Sequence, residues 1–163
     1  MEKVAQEFTD MLEAPGNHRI YAIQGAGVAS DIMEKLDLRL IRGIHDQVRR
    51  KEIVIDGIIS ESVFALFQRM SVDQLESHVG RMTIVYVLPD ELLDFPFDVF
   101  VAGRVVLLVD YAKESSIKIE DPGLSQVFSS LFLLAEQQGR RVDLNSHIQR
   151  LVGQRKKASR ASL

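Results

Sequence analysis

Cysteine is missing from all 163 residues of this chain, and that one absence excludes a disulfide scaffold, a thiolate zinc site and a thiol nucleophile together. Proline occurs only four times, and 46% of residues are hydrophobic against 26% charged. That is the balance of a globular protein rather than a disordered or fibrous one. No run approaches the roughly 20 apolar residues of a membrane span. The N-terminus, MEKVAQEFTDMLE, carries acids throughout and has no apolar leader core. A soluble chain with a cytoplasmic address and no membrane contact is therefore expected, at a length that suits one domain.

Catalytic signatures are missing too. The chain has no H-E-x-x-H, no G-x-S-x-G and no G-x-x-x-x-G-K-[ST], so zinc peptidase, serine hydrolase and P-loop readings lack their residues. Phospholipase-D-type phosphodiesterases need H-x-K-x-x-x-x-D. Two positions after His18, His45, His78 and His147 stand Ile20, Gln47, Gly80 and Gln149. No catalytic residue is assigned and a non-enzyme is expected. Asp90, Glu91 and Asp94 cluster after Pro89, where carboxylates can bind a cation or move protons. A solvated loop is the expectation there, with no metal and no cofactor implied.

Charge is unevenly placed. From Gly139 onward seven bases (Arg140, Arg141, Arg150, Arg155, Lys156, Lys157 and Arg160) face Asp143 alone. That segment therefore carries +6 and, with the whole chain at −3, residues 1–138 carry −9. An acidic body repels phosphate backbones, so DNA contact is expected only indirectly, through a module not in this chain. The tail, 140–163, is expected to be partly disordered and solvated.

The most informative stretch runs from Phe97 to Phe132. Residues 99–101 and 105–109 are β-branched, apolar runs of strand length, and Ala102-Gly103 between them permits the positive φ of a tight hairpin. A third strand is expected at 117–119. Asp121 followed by Pro122 then opens a helix on whose one face Leu124, Val127, Phe128, Leu131 and Phe132 fall, which predicts a helix packed on the sheet.

Upstream, Val4, Phe8, Met11 and Leu12 recur at helical spacing before Pro15-Gly16. Residues 19–24 (RIYAIQ) read as the first strand, ending in Gly25 and Gly27. These superficially imitate a dinucleotide-binding turn, but the third position is Ser30, the helix expected after it (31–36) is brief, and no acidic strand end follows. Leu40, Ile41, Ile44 and Val48 line a helix whose flank carries Arg42, His45 and Arg49. Such a flank could hold an anion, although Asp46 is placed to pair with Arg42 and Arg50. Residues 53–59 and 82–88 read as strands covered on both faces. They flank two short helices, one with Val63, Leu66, Phe67 and Met70 in line, the other opened by a Ser71/Gln74 capping box and burying Val72, Leu75 and Val79. Strand, helical crossover, strand implies parallel neighbours. The fold class expected is α/β: a mixed, mostly parallel sheet of about six strands with helices on both faces.

This order of elements resembles the phospholipase-D-like effector domain of TrmB-type transcriptional regulators. The resemblance rests on Ile44-His45 through Ile53, IVIDGIIS, RMTIVYVLP, FPFDVFVAGRVVLLV and IKIEDPGLSQVFSSLF, over about residues 38–134. Those proteins pair a winged helix-turn-helix with a domain that has a His-bearing basic helix, strands, a Gly-turned hairpin and a Phe-rich helix. Members of this type lack the phosphodiesterase residues. The family usually has Arg three residues after the His and Gly before the next strand; this chain has Val48 and Glu52.

The resemblance implies a non-enzymatic ligand-sensing and dimerisation domain of a transcriptional regulator, without the helix-turn-helix. The expected division is an amphipathic linker or dimerisation helix at 1–15, the effector domain at 16–139 and the tail at 140–163. A homodimer is expected, with a small anionic or sugar-like ligand at a rim formed by Gly25, Gly27, Ser60 and Ser62, with Arg42 and His45 as further donors. The alternatives are an atypical phosphodiesterase-like enzyme using His45 and His78, or a nucleotide-binding module using the Gly25–Gly27 turn.

Overall fold

The computed structural model describes residues 2–14, 18–28, 38–80 and 83–161. Ser30 and the brief helix expected at 31–36 lie outside them, as do Pro15 and Gly16. In chain order the elements are α1 (Glu2–Glu13), β1 (Arg19–Gln24), a 3-10 turn (Ala26–Val28), α2 (Leu38–Arg50), β2 (Val54–Ser60), α3 (Glu61–Leu66), α4 (Val72–His78) and β3 (Thr83–Leu88). A second 3-10 turn (Asp90–Leu92) leads to β4 (Asp98–Ala102), β5 (Val105–Asp110), β6 (Ser115–Glu120), α5 (Pro122–Glu136), β7 (Arg140–Asp143) and α6 (Leu144–Ala161).

One mixed sheet results, in the order β6-β5-β4-β1-β2-β3-β7. Among the described residues it has seven strands where about six were expected, and it is not mostly parallel. Only β1–β2 and β2–β3 pair in parallel, with Ile20 beside Ile55 and Ile58 beside Tyr86. The other four pairings are antiparallel. The helical crossovers produce the parallel centre, whereas the Gly103 hairpin and the short β5–β6 turn can only add antiparallel strands. Gly103 takes φ 57° at that turn, the conformation the sequence reserves for it.

Strand alternation divides the core between the two faces. On one face, α1 and α2 cover Ile20, Ala22, Ile55, Leu107 and Val109 with Val4, Met11, Leu12 and Val48. Phe8 meets Phe100 edge-on, ring centroids 4.9 Å apart. The apolar stripe of α1 thus closes this chain's own core instead of pointing outward as a dimerisation helix would. Farther along the same face, α3, α4 and α6 cover Ile59, Val85 and Val87 with Val63, Leu75, Leu144, Ile148 and Leu151. On the opposite face α5 is the one helix among the described residues, with Phe132 against Ile58 and Leu88, and Leu124 and Phe128 against Val99, Val101 and Val106.

The tail departs from expectation. Residues 140–143 pair with β3, and Asp143 accepts hydrogen bonds from the Ser146 amide (3.0 Å) and hydroxyl (2.9 Å) at the start of α6. Leu144, Ile148 and Leu151 then recur at helical spacing and are buried. A count of bases hides this stripe, because long basic side chains take the outer positions of an amphipathic helix without disturbing its buried side.

Candidate functional site

In an open sheet of this kind ligands collect beyond the carboxyl ends of the parallel strands. Here those ends deliver the 3-10 turn after β1, the β2–α3 junction and the Pro89-Asp90 turn after β3. Ser60 is fully buried; its Oγ accepts from the Val63 amide at 3.2 Å, capping α3, and lies 2.9 Å from Ser62 Oγ. Asp90 completes the cluster: its Oδ1 accepts from the Ser62 amide at 2.9 Å. The hydrogen bond from that amide is the main reason its carboxyl is held below the ordinary range, and the Ser62 and Ser60 hydroxyls add to it. The Asp90 carboxylate therefore stays ionised beside two hydroxyls, one of them half-buried. α3 also packs on the 3-10 turn that carries Gly27, so Gly27, Ser60, Ser62 and Asp90 share one rim.

Gly25 and Gly27 have a close neighbour. The Gly25 amide donates to Phe97 O (3.3 Å) and the Ala26 amide to Leu93 O (2.8 Å), while Val28 N reaches back to Gly25 O (3.3 Å). A Cβ on Gly25 would stand 2.1 Å from Phe95 O, and one on Gly27 3.2 Å from the same oxygen. Glycine is required because the 93–97 segment crosses here, and the Gly25 and Ala26 amides are bonded to that segment rather than open to a pyrophosphate.

The remaining expected donors lie elsewhere. Arg42 is exposed on α2. His45, three residues on, is buried between α2 and α4, with Nδ1 2.8 Å from Ser77 O and its ring 4.7 Å from that of His78. His78 in turn meets Phe67 edge-on at 5.7 Å. The two histidines singled out by sequence do meet, then, but in a helix–helix interface. Asp46 pairs with Arg49 rather than with the side chains of Arg42 or Arg50, and Arg49 also donates to Val79 O at 2.8 Å. That ties α2 to α4. Asp110 pairs with Lys113 and Glu120 with Lys118, and both carboxyls are held below their ordinary range mainly by those lysines. No group of three or more His, Cys, Asp or Glu among the described residues could hold a metal.

Two groups escaped sequence reasoning. Asp98, the first residue of β4, is completely buried beside Gln24. Its Oδ2 accepts from Gln24 Nε2 (3.0 Å) and from the Tyr111 hydroxyl (3.1 Å), and its Oδ1 has no hydrogen-bond partner. Burial raises its pKa to about 7, against the opposing pull of those two donors, and burial likewise keeps Tyr111 neutral. The second is His147 on α6, stacked on Phe64 at 4.7 Å, with Nδ1 2.9 Å from Arg150 Nη2 and Nε2 buried without a partner. Burial first, then Arg150 and Arg140, lowers its pKa. The only sequence signal for Asp98 is a lone acid inside FPFDVFV, and nothing local distinguishes it from an exposed strand end.

The sequence matches no family model and no curated protein. Among solved structures the fold is similar to that of TrmBL2, described as an archaeal chromatin protein with a novel mode of DNA binding: TM-score 0.54, 11% identity, over 86% of this chain and 51% of that one. The chain thus spans about half the length of this neighbour, and at such identity the likeness is one of fold. No helix among the described residues is long and apolar enough to cross a membrane.

Proposed function

We propose that this chain is a non-enzymatic ligand-sensing and dimerisation domain of a transcriptional regulator, of the phospholipase-D-like effector type, and that its ligand is a hydroxylated, sugar-like molecule held at the rim of β2 and β3. The observation that carries the ligand class is the Ser60–Ser62–Asp90 cluster at the carboxyl ends of two parallel strands. An ionised carboxylate beside hydroxyls accepts hydrogen bonds from sugar hydroxyls and repels a phosphate, so the rim favours a neutral polyol over a sugar phosphate. Binding rather than turnover is favoured because no histidine has a lysine two positions on. The fold shared with a chromatin protein supports the regulatory setting, and the acidic body supports assigning DNA contact to a separate module.

A thermal-shift screen of mono- and disaccharides alongside their phosphates tests this. Binding raises the melting temperature with the logarithm of ligand concentration, and Ser62→Ala and Asp90→Asn are each expected to abolish the rise. Hits that survive both substitutions would place the ligand elsewhere, and a preference for phosphates would exclude the Asp90 rim.

A further inference from the structure

The apolar arc of α5 is wider than the sheet beneath it. Leu124, Phe128 and Phe132 face the sheet, but Val127, Leu131 and Leu134 are 53%, 52% and 61% exposed. At spacings of four and three residues they form one stripe two turns long on a flank of the helix. Three such side chains in line expose on the order of 300 Å² of apolar surface, the size of the largest patch on a typical monomer, which is often functional. Ser130 lies among them and lets another helix approach closely. From Pro122 to Ala135 the helix carries no charged residue.

We propose that this flank of α5 is where a second copy of the chain docks, helix against helix and antiparallel across a two-fold axis. The charges select this occupant. A lipid surface or a nucleic acid would require bases around the stripe, and the helix instead enters through Asp121, which is exposed and caps the Leu124 amide. It leaves towards Arg141, exposed and on the α5 face of the sheet beside Tyr86. An antiparallel pair centred between Ser130 and Leu131 sets Val127 against Leu134 of the copy, and brings the acidic entry of each helix to the basic exit of the other. A two-fold contact has to be self-complementary in this way. A stable dimer buries roughly 800 Å² per partner, so the stripe would be the apolar centre of the contact with the residues around it as its polar rim. The inference specifies the dimerisation half of the proposed function and is read without ligand, so its failure leaves the ligand half standing.

The test measures mass by sedimentation across the micromolar range. The wild type is expected to be a dimer, and Leu131→Glu a monomer with an unchanged circular dichroism spectrum, since the side chain lies outside the core. The absence of native cysteine permits a second readout: Ser130→Cys should give a disulfide-linked dimer under mild oxidation, whereas Glu76→Cys on α4 should not. A wild-type monomer at every concentration overturns the proposal and leaves the stripe to a different protein. A dimer that persists in Leu131→Glu overturns it as well. Loss of the dimer in Leu131→Glu without cross-linking at position 130 rejects the antiparallel arrangement.

Discussion

Asp98 shows what a single buried acid does to a domain of this size. Folding removes its carboxyl from water, and with a pKa of about 7 the folded protein binds a proton there that the unfolded chain, near 3.8, has released. The folded state is thus the one that takes up protons, and stability falls as pH rises from about 4 to about 7, then levels off. At about 1.4 kcal/mol per pKa unit the full effect is at most about 4 kcal/mol. Asp98→Asn keeps the shape and an acceptor for Gln24 and Tyr111 and removes the charge. Its urea-unfolding free energy is expected to lose this fall, keeping the rise with pH that the lowered His147 pKa gives, and to be higher than wild type at pH 8. Parallel profiles for the two proteins would mean that Asp98 is not the titrating group. None of this was legible beforehand. The carboxylate is buried because Gln24 and Tyr111, 74 and 13 residues away, converge on it, and no periodicity within one strand reports such a meeting.

Elements were far more legible than their surroundings. The ends of β1, the Ser71/Gln74 capping box and the Asp121 cap on α5 appear where local chemistry places them. Each depends on a few adjacent residues. By contrast, the burial of Val127 and Leu131 was expected and does not occur, because helical spacing defines an apolar arc and the sheet covers only part of it. The end of α2 is subtler. Glu52 stands where the resemblance expects glycine, and its φ is 52°. The Ile53 amide donates to Val48 O (3.0 Å) and the Glu52 amide to Arg49 O (3.1 Å), the pair of bonds that closes a helix through a left-handed residue. The backbone keeps the glycine conformation although the side chain has changed. A left-handed non-glycine residue costs about 1–2 kcal/mol, and glycine recovers that less its own entropy of roughly 0.5–1 kcal/mol. Glu52→Gly is therefore expected to stabilise the protein by about 0.5–1 kcal/mol, seen as a higher urea midpoint at unchanged slope. A lower midpoint would show that the Glu52 side chain contributes more than its backbone costs.

At the scale of the molecule, the separation of charge seen in the sequence is partly offset by folding. Three bases of the +6 segment are engaged by residues of the acidic body. Lys156 pairs with Glu76 at 2.6 Å, Arg155 donates to the carbonyls of Met70 and Gln68, and Arg140 lies over the Phe64 ring at 5.1 Å. With residues 1–138 at −9, a duplex approaching α6 meets few uncommitted cations and a repulsive body. Affinity for phosphate backbones grows with the number of phosphates neutralised, and the salt dependence steepens with it. Two or three contacts at most leave binding at the weak end of the non-specific range, a Kd of about 10⁻⁴ M at physiological salt. Fluorescence anisotropy of a labelled duplex is accordingly expected to show no saturable binding at micromolar protein in physiological salt, and a shallow slope when salt is lowered. The same domain joined to a winged helix should bind, with a slope set by the added module. Saturable binding by the chain alone that survives physiological salt would contradict this assignment, and Lys157→Glu with Arg141→Glu would then identify whether α6 and β7 form the contact.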